Sequence, residues 1–210
     1  VIYFGLSAIK GIGQAICERI VNERALNGPF ESFHDFAMRV PADCLNKKSI
    51  ESFIKAGAFD GLGHPRQGLM AIYESIISDS LARRSDADQG VMSLFDVFDS
   101  EPGEKVNLDI PIPDMEFEKS VKLKFEKEVL GLYISDHPLF GLEGMLRKHA
   151  TSTTSGLEDL DSGAIVTLAG IITKVERKVT KKGSALAIIQ LEDLYGSVEL
   201  TVFAKTLLTH

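Results

Sequence analysis

Apolar positions recur at helical spacing through residues 1–84 and at alternate positions through residues 164–203. Leu6 and Ile9 form a short apolar turn ahead of Gly11-Ile12-Gly13, and Ile16, Ile20 and Val21 then give the next helix one buried face. Asn27-Gly28-Pro29 breaks that helix. Ser32–Val40 offers another, with Phe33 and Phe36 inward, stopped before Pro41. Asn46 can cap a helix running to about Ala56, with Ile50, Phe53 and Ile54 apolar. Gly57–Gly63 then turns the chain, and Pro65 suits the first turn of a helix marked by Leu69, Met70, Tyr73, Ile76 and Ile77 that fades near Leu81–Arg84. Periodicity is lost from Ser85 to Met115, where Asp, Gly, Ser and Pro predict a flexible linker. Glu116–Leu132 reads as a charged amphipathic helix with Phe117, Val121, Phe125, Val129 and Leu132 on one face, and Glu143–His149 as a short second one. Ala164–Lys178, Ala185–Asp193 and Ser197–Phe203 alternate and are β-branched, so they read as strands joined at Thr180–Ser184 and Tyr195-Gly196. Gly170 marks a bulge or a close approach, and a helix can start at Ala204.

The predicted fold class is therefore α+β and multidomain. Residues 1–84 form an all-α domain, 85–115 a linker, 116–150 a helical connector, and 160–210 the start of an oligonucleotide-binding (OB) β-barrel that stops after three strands.

Two helix–turn–helix units in the first domain carry glycine turns of the same design, Gly11-Ile12-Gly13 and Gly61-Leu62-Gly63. Glycines without a Cβ let the turn approach another surface closely, and the N–H groups opening the following helix attract an anion. With Lys10 and Gln14 flanking it, the first turn has the pattern of a helix-hairpin-helix, which holds the DNA backbone without reading sequence. Lys10, Gly11, Ile12, Gly13, Gln14, Gly61 and Gly63 are the candidate duplex contacts. The other reading of the same glycines is a tight αα-turn, and Asp60 and His64 in place of Lys10 and Gln14 favour a structural role for the second hairpin.

The linker contains one apolar island, Gln89-Gly90-Val91-Met92-Ser93-Leu94-Phe95, in an acidic stretch. It matches the Gln-x-x-Leu/Met-x-Leu-Phe type of short motif by which bacterial replication and repair proteins bind the sliding clamp; Gln89, Met92, Ser93, Leu94 and Phe95 are the candidate contacts. The alternative is a hydrophobic patch folding back on its own domain. In the β region, Lys174, Arg177, Lys178, Lys181 and Lys182 cluster along the first strand and its loop, where a barrel of this type faces single-stranded nucleic acid; a solvated hairpin edge explains the same lysines.

Charge qualifies this picture. The net charge of −7 would oppose DNA binding if it were uniform. Residues 1–67 carry eight basic and seven acidic groups, residues 68–162 nine and nineteen, and residues 163–210 six and four, so the acidity lies in the middle of the chain. Asp136-His137 stands alone without a nucleophile or third ligand, and a turn stopped by Pro138 accounts for it better than a hydrolase or metal site does. Cys17 and Cys44 have neither metal nor disulfide spacing. No catalytic residue, metal ligand or cofactor site is expected. The absence of a long apolar run or signal peptide predicts a cytoplasmic protein without membrane contact, and Val1 in place of Met reads as a segment of something longer.

These pieces, in this order, resemble the C-terminal half of bacterial DNA polymerase III alpha subunits. The stretches FGLSAIKGIGQAICERI, NKKSIESFIKAGAFDGLG, FEKEVLGLYISDHPL and VTLAGIITKVERKVTKKGSALAIIQLEDLYGSVELTVF carry the resemblance over nearly the full length. It implies a DNA-directed DNA polymerase as the parent, with its Mg2+-binding carboxylates in a palm upstream of these residues. It also implies contact with duplex and single-stranded template DNA, the β sliding clamp and other holoenzyme subunits. Many clamp motifs of the family have Gln-x-x-Leu-Phe, whereas Val91 stands in the Gln place here and Gln89 suits the longer variant. The same layout occurs in error-prone relatives, and a stand-alone repair or recombination adaptor could be built from the same two modules.

Overall fold

The computed structural model describes residues 4–88, 109–180 and 183–207. The chain forms two compact units, Val1–Ser135 and Asp136–His210.

The first unit is helical: α1 (Gln14–Asn27), α2 (Phe33–Arg39), α3 (Lys47–Ala56), α4 (Arg66–Asp88) and α5 (Lys119–Leu130), with 3-10 turns at Leu6–Ala8, Ala42–Leu45 and Asp60–Leu62. Its helix starts are locally encoded. Ser32 Oγ accepts from the Asp35 N–H at 3.0 Å, and Asn46 Oδ1 from the Ser49 N–H at 2.9 Å. The core centres on Phe59, which meets Phe33 and Phe36 edge-on at 5.0 Å each and Phe53 at 6.1 Å. Phe59 lies in the second hairpin, so the loop is anchored by a ring buried among three others, each worth roughly 3–5 kcal/mol against truncation to alanine.

Three local expectations change here. On α1, Val21 is exposed and Ile16 only half-buried; the buried residues are Ile20 and, beside the apolar stripe, Cys17, so the face turned to the core is an i, i+3 pair. Helix α4 continues past Arg84 to Asp88, held by the buried Ser80, by the Arg83–Asp79 pair at 2.8 Å and by the Arg84 guanidinium on the Ala37 carbonyl. Helix α5, expected to run from Glu116 to Leu132 within a connector, spans Lys119–Leu130 and packs into the first unit through Leu123, Glu126 and Val129. A carboxylate at the centre of its buried face hid that face from apolar periodicity.

The second unit holds α6 (Glu143–His149), a 3-10 turn at Ser155–Asp159, strands β1 (Ile171–Val179), β2 (Ala185–Glu192) and β3 (Ser197–Phe203), and a short helix α7 (Ala204–Leu207). The strands form an antiparallel meander in the order β1-β2-β3, which does not close into a barrel among the described residues. Strand β1 begins seven residues later than expected, because residues ahead of it turn elsewhere: the Thr167 carbonyl accepts the Thr151 N–H at 2.9 Å and the Thr167 N–H donates to Thr151 Oγ1 at 2.8 Å. Both readings of Gly170 find a counterpart nearby. A Cβ there would sit 2.4 Å from the Glu192 carbonyl oxygen, and the register shifts just beyond, between Ile172 and Lys174.

Candidate nucleic-acid interface

The first hairpin is a chain of short hydrogen bonds. Ala8 donates to Gly5, Ile9 to Leu6 and Ile12 to Ile9, at 3.0–3.2 Å. Gly11 then takes a φ of 82°, which a side chain would strain. Gly13 caps α1 with extended backbone and no side-chain cap, so the first N–H groups of that helix are left without an intrahelical acceptor. Ile12 packs against the core and fixes the turn. The structure thus brings Gly11, Ile12, Gly13 and Gln14 together at one exposed turn. Gln14 there donates to Glu18 Oε1 at 2.8 Å.

Lys10 is placed differently from its simplest reading. Its N–H donates to the Val129 carbonyl at 2.8 Å and its Nζ to the Glu128 carbonyl at 3.3 Å, at the carbonyl-rich C-terminus of α5. A lysine that sequence spacing did not single out stands at the turn instead. A Cβ on Gly11 would lie 3.7 Å from Cε of Lys48, in the first turn of α3. Thirty-seven positions of sequence separate the two, so only the fold reveals the pairing.

The second hairpin is built around Arg66, which is only 3% exposed. Its Nε donates to Asp60 Oδ1 at 2.9 Å, Nη2 to Asp60 Oδ2 at 2.7 Å, and Nη1 to the Lys55 carbonyl at 3.2 Å and to Glu126 Oε1 at 3.0 Å. Glu126 uses its other oxygen to accept the N–H groups of Ile134 and Ser135 at 2.8 and 2.9 Å. Burial works to raise the Glu126 pKa, but the donations from Ser135, Ile134 and Arg66 outweigh it and hold the carboxyl below its ordinary range. Gly63 takes a φ of 75° and ends the Asp60–Leu62 turn, while Gly61 does not require positive φ. Here the charge beside the glycines is Asp60, already engaged by Arg66. The neighbouring His64 has a pKa lowered by burial and, secondarily, by His34.

In the second unit, strand pleating separates the basic cluster. Lys174, Glu176 and Lys178 share one face, with Glu176 paired to both lysines, and Arg177 points to the other with Val175 and Val179. Lys181 and Lys182 lie outside the described residues, as do Gln89, Met92, Ser93, Leu94 and Phe95. Asp193, at the turn into β3, accepts from the Thr154 hydroxyl at 2.6 Å and from the N–H groups of Thr154, Tyr195 and Gly196. These donors overcome burial and lower its pKa. Asp136 and His137 each accept a local backbone N–H, from His137 and Leu139 respectively, as a turn does. Among the described residues no three His, Cys, Asp or Glu side chains stand together as a metal site, and no helix is long and apolar enough to cross a membrane.

A family model described as the helix-hairpin-helix motif matches residues 1–69, a third of the chain. Relatives match nearly all of it. The chain is 36% identical over 208 residues to the DNA polymerase III subunit alpha of Mycobacterium tuberculosis, covering 98% of this chain and 18% of that protein. It is 34% identical over 208 residues to that of Thermus aquaticus, 97% of this chain and 16% of that protein, and 34% identical over 202 residues to that of Treponema pallidum. The chain is therefore homologous, over nearly its whole length, to one segment of the DNA polymerase III alpha subunits, and it spans less than a fifth of the length of the relatives it matches.

Proposed function

We propose that this chain is the duplex- and clamp-binding segment of a DNA polymerase III alpha subunit in the bacterial cytoplasm, part of a DNA-directed DNA polymerase to which it contributes no catalytic residue. The observation that carries the reading is Gly13. Its φ of −75° suits any residue and a Cβ there would meet nothing within 4 Å, so nothing within the described chain demands glycine. Close approach of an external group to the N–H groups opening α1 does demand it, and a DNA phosphate fits both the space and the polarity. Homology to the alpha subunits over 98% of the chain supports the assignment.

The second hairpin serves this function structurally, by tying α3, α4 and α5 together through Arg66. The linker island from Gln89 to Phe95 is assigned to the sliding clamp and Lys174, Lys178, Lys181 and Lys182 to single-stranded template, with Glu176 offsetting part of that charge. Arg177 stands on the other face of β1, as a second contact surface at most. Weak contacts of this kind act together, each raising the effective concentration for the others.

The test is a duplex titration of the chain beside Gly13→Leu. Because Gly13 has open space around it, the variant keeps its circular dichroism and loses on the order of tenfold or more in duplex affinity, the scale of one or two phosphate contacts. Equal affinities would reduce the turn to a packing device.

A further inference from the structure

We propose that Lys48, rather than Lys10, is the cation that the first hairpin presents to the DNA backbone. The inference rests on the duplex-binding reading and assigns a residue to it. Lys10 follows the apolar turn directly, which is where a cation beside the glycines is sought in sequence. In the fold its ammonium is engaged elsewhere. It donates to the Glu128 carbonyl at 3.3 Å, and a Cβ on Gly131, the residue ending α5, would lie 3.8 Å from it. That is a helix C-terminus, where a cation offsets the partial negative charge of free carbonyls. The backbone N–H of Lys10 is fastened to the same end, at the Val129 carbonyl. Moving the Lys10 ammonium to a phosphate would give up its place at this helix end.

Lys48 has the opposite surroundings. Its stem lies against Gly11, close enough that a Cβ there would be in ordinary contact with Lys48 Cε at 3.7 Å. The ammonium is one bond further on, beyond 4 Å of that position, so it extends past the turn rather than resting on the glycine. The other two lysines of α3 are committed: Lys47 to Glu74 at 2.6 Å and Lys55 to Glu128 at 3.1 Å. Lys48 is exposed and makes no ion pair among the described residues. Asn46 caps α3 two residues before it, so Lys48 leaves a defined helix start rather than a loop. The first helix of the second hairpin thus supplies the charge for the first hairpin, which gives the tandem arrangement a role in binding even where the second glycine turn has none.

The experiment measures duplex affinity of the whole chain across a salt series for wild type, Lys48→Gln, Lys48→Arg and Lys10→Gln, with thermal melts alongside. Lys48→Gln is expected to weaken duplex binding severalfold at low salt and to lower the slope of log affinity against log salt by about 1, the loss of one neutralised phosphate. Lys48→Arg restores both with an unchanged melt. Lys10→Gln keeps the slope and lowers the melting temperature, as removal of a helix-end contact does. Loss of slope in Lys10→Gln with none in Lys48→Gln overturns the assignment, and so do equal losses in both. Absence of duplex binding by wild type would instead remove the duplex reading itself.

Discussion

Glu126 is completely buried, yet the groups around it favour its charged form. One oxygen meets Arg66 and the other meets two backbone N–H groups of the Ile134-Ser135 turn, so the carboxylate is satisfied on both sides. Such a pair contributes little compared with a well-packed apolar one, but removing Glu126 takes the acceptor from the Ile134 and Ser135 N–H groups and leaves Arg66 with Asp60 as its one carboxylate partner. Glu126→Ala is expected to destabilise the first unit by about 3 kcal/mol, read as an earlier urea midpoint of the helical circular dichroism signal. The pH dependence has a definite sign. The folded carboxyl titrates below its unfolded value of about 4.3, so its contribution is fully present above that value and is lost as pH falls through the lower folded one. Glu126→Ala should flatten this acid limb of the stability profile. An unchanged profile would show that other carboxylates govern acid unfolding.

At the scale of elements, Gly68 shows how α4 receives the chain returning to α5. A Cβ at Gly68 would lie 2.0 Å from the Pro113 carbonyl oxygen and 3.3 Å from Ile112 Cγ2, and the Gly68 N–H donates to the Met115 carbonyl at 3.0 Å. The strap is held at its other end by His34, whose Nε2 lies 2.9 Å from the Ile110 carbonyl oxygen. Backbone stands in the way of the added methyl, so the strap must move. Gly68→Ala should therefore raise amide hydrogen exchange at Met115 and its neighbours by on the order of tenfold, while α2 and α3 stay protected. Uniform loss of protection would mean that the strap is integral to the whole unit. This packing falls within the residues that composition assigns to a linker, because Pro, Asp and Met carry no periodic signal. The helices with named caps, α2 and α3, were legible in sequence almost to the residue, since Ser32 and Asn46 satisfy the first N–H groups without tertiary help.

At the scale of the molecule, the proposed function separates into contacts on different stretches of chain. On the proposed reading, duplex binding rests on the glycine turn and Lys48, and clamp binding on the linker island. Replacing Leu94 and Phe95 together by alanine should then abolish binding to purified β clamp and leave duplex affinity unchanged. Micromolar clamp affinity, about 8 kcal/mol, is the scale expected for a short linear motif acting alone. Loss of both activities together would identify the island as part of a core. Along the sequence the acidic excess falls in residues 68–162, outside the residues of the first hairpin.

The sequence by itself determined the helical first part, the glycine turn opening α1, the three-strand meander and the likeness to polymerase III alpha subunits. All of these depend on local rules: apolar spacing, caps, positive-φ glycines and the order of motifs along the chain. Only the tertiary structure decided which lysine stands beside Gly11, that Arg66 and Glu126 are buried together, that α5 packs with the helices before it, and that Arg177 parts from Lys174 and Lys178 across the sheet. Each of these depends on residues distant in sequence or on which side of an element faces outward, and electrostatic pairs of that kind leave no periodic trace in the chain.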